Sequence, residues 1–70
     1  MIPITLANIG EEKIIKRISG NSVLKKHLES LGFVAGAPVT PVSASSGDVI
    51  VNIKGSRIAI GKESAQKIFI

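Results

Sequence analysis

Leu24, Leu28 and Leu31 stand at i, i+4 and i+7, the spacing that puts three apolar side chains on one side of a helix. Gly32 follows at once, where a helix that must close its last turn needs a residue tolerant of positive φ. Gly36 and Pro38 reset the backbone before Val39 opens an extended run. Upstream, Ser19-Gly20-Asn21 is a turn cluster, and Asn21 can accept from the free N–H groups of the first helical turn. A helix is therefore predicted from Ser22 to Leu31. It is the one amphipathic helix in a chain whose other apolar segments have the period of strands.

Those segments are short. Ile4-Thr5-Leu6 reads as a first strand and Ala7 to Glu12, centred on Gly10, as a turn. Lys13 to Ile18 reads as a second strand, with Ile14 and Ile18 sharing a face with Lys16 and Ile15 opposite. Val39 to Ala44 is a third, and Pro41 inside it, lacking an N–H for the ladder, calls for an edge or a bulge. Ser45 to Asp48 is a loop of turn formers. Val49 to Ile53 alternates, with Val49, Val51 and Ile53 on one face, and Lys54-Gly55 fits a two-residue hairpin into a return strand, Ser56 to Ile60. Lys62 to Lys67 makes about one helical turn that aims Ala65 and Ile68 at the core, and Phe69-Ile70 closes the chain as a strand. Five or six strands with one helix predict a mainly β domain over residues 1–70, a small, partly open β-barrel.

Composition removes several function classes. There is no cysteine, so neither disulfides nor thiolate metal sites are available. Met1-Ile2-Pro3-Ile4 lacks the basic start and continuous apolar stretch of a signal peptide. The uncharged run Phe33 to Gly47 is broken by glycine, proline and serine, whereas a bilayer span needs about 20 mainly apolar residues. A cytoplasmic protein with no membrane insertion is expected. The formal net charge is +4, but no basic run exceeds two residues; this favours an acidic partner without pointing to nucleic acid, and none is expected.

Reactive groups do not converge. His27, the one histidine, lies beside the leucine stripe and reads as a boundary residue. Ser43, Ser45 and Ser46 sit in no Gly-x-Ser-x-Gly elbow, and Gly32-x-x-x-Gly36 lacks the Gly-Lys-Ser/Thr ending of a phosphate loop. His27 and Glu29, two apart on a helix, point in different directions, and one imidazole with scattered carboxylates makes a poor metal shell. Two phenylalanines with no tyrosine or tryptophan disfavour proline-rich peptide grooves and base-stacking platforms. The chain is expected to be non-enzymatic, without cofactor and without dedicated metal ligands.

The order Leu6…Gly10-Glu11…Ile18…Leu24…Leu28-x-x-Leu31-Gly32-x-x-x-Gly36-x-x-Val39…Gly47-Asp48…Val51-x-Ile53…Ile58-Ala59-Ile60…Ala65-x-x-Ile68-x-Ile70 resembles the FeoA family over nearly the whole chain. The resemblance implies an SH3-like domain that serves as a cytoplasmic accessory or regulator of ferrous iron uptake. Its implied partner is the FeoB-type membrane permease, docked at its cytoplasmic GTP-binding portion. A related domain in iron-dependent repressors implies the alternative, direct binding of a divalent transition metal. Lys25, Lys26 and His27 stand where the family often carries arginine, Ile60-Gly61 where it has a Leu-Arg pair, and Ala35 where it tends to have proline. The partner surface expected is the outward side of the helix, Lys25, Lys26 and Glu29, with Ser45, Ser46, Gly47 and Asp48 as a neighbouring loop. Open strand edges also leave room for weak self-association.

Overall fold

In the computed structural model, which describes residues 1–70, the chain begins with a 3-10 turn at Ile4–Leu6. It continues through β1 (Lys13–Ile14), β2 (Arg17–Ile18), α1 (Ser22–Ser30), β3 (Pro38–Ser45), β4 (Asp48–Ile53), β5 (Ser56–Ile60), α2 (Lys62–Ala65) and β6 (Ile68–Phe69). Four strands form one sheet in the order β1-β3-β4-β5, and β2 and β6 form a second. All pairings are antiparallel. The two sheets stay open and do not close into a barrel.

The helix forms as its residues dictate. Asn21 Oδ1 accepts from Leu24 N–H at 2.8 Å, satisfying a donor that the first turn leaves free. At the other end Gly32 has φ +101°. Gly32 N–H donates to Glu29 O and Phe33 N–H to Leu28 O, both at 2.9 Å, the paired closure in which a left-handed residue ends a helix. Leu28 is buried, and Leu24 and Leu31 pack half-buried against the same cluster.

β4 alternates as expected, with Val49, Val51 and Ile53 buried and Asp48, Ile50 and Asn52 exposed. Both of its turns are two-residue hairpins with consecutive positive φ, at Ser46-Gly47 (54° and 90°) and Lys54-Gly55 (50° and 77°), the handedness that suits twisted strands. Pro41 sits at a bulge, since the β3–β4 register shifts between Pro41 and Ser43. On its other side β1 reaches only Val39, and Pro41 O there accepts from Gly10 N–H at 2.7 Å.

Two expectations fail near the start of the chain. Ile4–Leu6 is a turn rather than a strand: Leu6 and Ala7 N–H donate locally to Pro3 and Ile4 carbonyls at 3.0 Å. Pro3, at φ −63°, sets that geometry. Lys13–Ile18 is split between the sheets. Ile15 N–H donates to Ala37 O on one side, and the next residue, Lys16, donates to Phe69 O on the other. Ile15 is fully buried, and Ile14 is left 49% exposed.

Thirteen apolar residues form a single core, with no buried polar or charged side chain among them. Leu28 and Phe33 tie α1 to it; Ala65 and Ile68 do the same for the C-terminal segment. Truncating Leu28→Ala is expected to cost about 2–5 kcal/mol, a large share of the stability of a domain this small. Gly32→Ala should cost about 1 kcal/mol through backbone strain alone, since an added Cβ would come no closer than 3.5 Å to Lys54. Urea titration of the two variants should rank them in that order.

Candidate partner-binding surface

With about 3.6 residues per turn, burial of Leu28 flanked by Leu24 and Leu31 turns Lys26 and Glu29 away from the core and sets Lys25 on the flank. All three are exposed. The one ion pair in the molecule is Lys13–Glu11, so none of the three charges is neutralised within the chain. Val23, 77% exposed, lies one turn before Lys26 and adds an apolar contact point to this side. Its place off the Leu24–Leu28–Leu31 stripe, about 100° round the helix from Leu24, is the available signal.

The Ser45–Asp48 loop is not next to this helix end. The turn that meets the end of α1 is Lys54-Gly55, where the Lys54 stem lies against Gly32. Ser46-Gly47 lies at the opposite end of β4, six residues away at about 3.3 Å each. There Asp48 Oδ1 accepts from Lys62 N–H at 2.9 Å, and the Lys62 stem crosses Gly47 so closely that an added Cβ would meet it at 2.7 Å. Asp48 and Gly47 therefore hold the start of α2. Ser45 and Ser46 are exposed and, with Ser43, Ile50 and Ala59, line a shallow hollow of about 350 Å³ on the outer sheet face.

Titratable groups do not gather elsewhere. His27 is exposed on the flank of α1, and no three His, Asp or Glu residues approach closely enough to hold a metal ion. Glu11 is held below the ordinary carboxylate range by hydrogen bonds from Lys13 and Asn8 and by the Lys13 charge. No helix is long and apolar enough to cross a membrane.

A small open two-sheet domain with one amphipathic helix and free charges on its outward side belongs to the SH3-like class. The FeoA domain model matches residues 2–70. Fe(2+) transport protein A of Methanocaldococcus jannaschii is 37% identical over 70 residues, covering all of this chain and 85% of that protein. A crystal structure described as the iron uptake regulatory protein FeoA shares 28% identity with a TM-score of 0.88, across 96% of this chain and 91% of that one. The chain belongs to the FeoA family of ferrous iron transport proteins. A manganese-dependent transcriptional repressor shares the fold, with a TM-score of 0.85 at 19% identity, over 94% of this chain and 38% of its own.

Asp48→Ala should destabilise the protein by about 1 kcal/mol through loss of the bond to Lys62 N–H, and Asp48→Asn, which keeps an acceptor, by less; thermal melts would rank them. Glu11 has a lowered folded pKa, so its contribution is present above the ordinary carboxylate range and is lost as pH falls through the lowered value. Because the group is exposed, the effect is expected to be local: amide protection around Asn8–Lys13, taken relative to the intrinsic exchange rate at each pH, should fall as Glu11 is protonated, and the Glu11→Gln variant should lose that dependence.

Proposed function

We propose that this chain is a cytoplasmic accessory protein of ferrous iron uptake. It acts without chemistry of its own, by docking on the cytoplasmic GTP-binding portion of a FeoB-type permease. The observation that carries this reading is the outward side of α1. Lys25, Lys26 and Glu29 are exposed and unpaired within the chain, with Val23 beside them, on a helix whose opposite side is held in the core. A rigid helix with solvated charges and one apolar side chain can select a complementary surface and speed its capture. Membership of the FeoA family supplies the iron-transport setting.

The test is binding of the permease's isolated soluble portion to the wild type and to a Lys25→Glu/Lys26→Glu double variant. Reversing two rim charges should weaken affinity about tenfold or more at low salt, with the gap narrowing as salt rises. Equal affinity for both proteins, with the variant's circular dichroism unchanged, removes this side of the helix from the docking surface.

A further inference from the structure

β5 ends the large sheet, whose order is β1-β3-β4-β5, and its second side has no neighbour. Across the Lys54-Gly55 turn, Ile53 and Ser56 form the closing hydrogen-bonded pair, and such pairs alternate along an antiparallel ladder. Ser56, Ile58 and Ile60 therefore turn their backbone N–H and C=O groups to β4, and Arg57 and Ala59 turn theirs outward. No turn or loop hydrogen bond reaches those two residues. Strand edges are ordinarily blunted by proline, a bulge or an inward charge. β5 carries none of these, and its register with β4 is regular from Ser56 to Ile60. Its one charge, Arg57, leans back across the strand pair, where Nε donates to Asn52 Oδ1 at 3.4 Å. Both ends of the strand leave the edge clear. The Lys54 stem lies against Gly32, and Asp48, by accepting from Lys62 N–H, draws the start of α2 over the β3–β4 turn. β1, β2 and β6 are two residues long, so β5, with five, is the longest free edge.

This edge is complementary to itself. With a two-fold axis at Ile58, Arg57 of one copy stands opposite Ala59 of the other, and each donates to and accepts from its counterpart. Arg57 then meets a methyl group rather than a like charge. On the inner face Ile58, half-buried against the core in a single copy, lies against Ile58 of the second copy, and Ser56 against Ile60. A foreign strand would have to bring this match, whereas a second copy carries it by symmetry. We infer that two copies of this chain pair antiparallel through β5, joining their large sheets into one. One five-residue strand is a narrow contact beside the roughly 1,200 Å² of a stable complex, so the pairing is weak. Each copy carries a net charge of +4, and the pairing tightens as salt screens that repulsion. It stands independently of the permease reading, which makes no use of β5.

The test is amide hydrogen exchange by NMR on the full 70-residue chain, from micromolar to millimolar concentration at low and high salt, with sedimentation equilibrium on the same samples. The dimer fraction should rise with concentration and with salt. Protection should grow at Arg57 and Ala59, while Ser56, Ile58 and Ile60, already bonded to β4, change less. Ala59 is exposed, so its side chain can be changed without touching the core. Ala59→Glu sets a carboxylate opposite Arg57 in both halves of the pair and should tighten association about threefold or more, and Ala59→Lys should weaken it by a similar factor. The same two charges placed at Val23 on α1 should have far smaller effects. A chain that stays monomeric at millimolar concentration, protection gained evenly by both sets of amides, association that weakens with salt, or equal effects at Ala59 and Val23 overturns the proposal. Protection of Arg57 and Ala59 that appears only when the permease's soluble portion is added also overturns it, because the edge then takes a partner's strand.

Discussion

Two hydrogen bonds from Gly32 and Phe33 back to Glu29 and Leu28 close the last turn of α1 and fix how the chain leaves it. They require a left-handed residue, and Gly32 at φ +101° provides it without a Cβ penalty. The same closure delivers Phe33, fully buried, into the cluster that already holds Leu28. An apolar residue on each side of a helix end is the usual companion of this turn. From there the chain reaches β3 in five residues, so the exit of α1 and the entry to the sheet are held close together. Because the buried side of α1 is fixed here, so is the side that faces outward.

Legibility in the sequence followed the range of the interaction. β4 was readable because alternation is a local property and both its turns carry their own chemistry, Ser46-Gly47 and Lys54-Gly55. Asn21 and Gly32 were readable for the same reason. Lys13–Ile18 was not, because a change of hydrogen-bonding partner between Ile15 and Lys16 leaves no mark on hydrophobic period. Ile4–Leu6 alternates like a strand but obeys Pro3. At the surface, the charges of α1 could be assigned to its outward side from spacing alone. The distance of Ser45–Asp48 from that helix end could not, since it depends on which end of β4 meets Gly32.

The positions that match the FeoA pattern are mostly glycines at turns and aliphatics in the core. Such a pattern specifies a fold more firmly than an activity. A manganese-dependent repressor with a TM-score of 0.85 and only 19% identity illustrates the point: the scaffold is shared, and function resides in what is placed on it.

The β3–β4 and β4–β5 pairs are closed by two-residue turns, whereas β2 and β6 join segments near opposite ends of the chain. Closing a long loop costs more entropy before any contact repays it. The hairpins are thus expected to assemble early in folding, with the terminal strands zipping last. Pulsed hydrogen-exchange labelling would report Ile68 and Phe69 protected after Val51, and the reverse order would contradict this sequence of events.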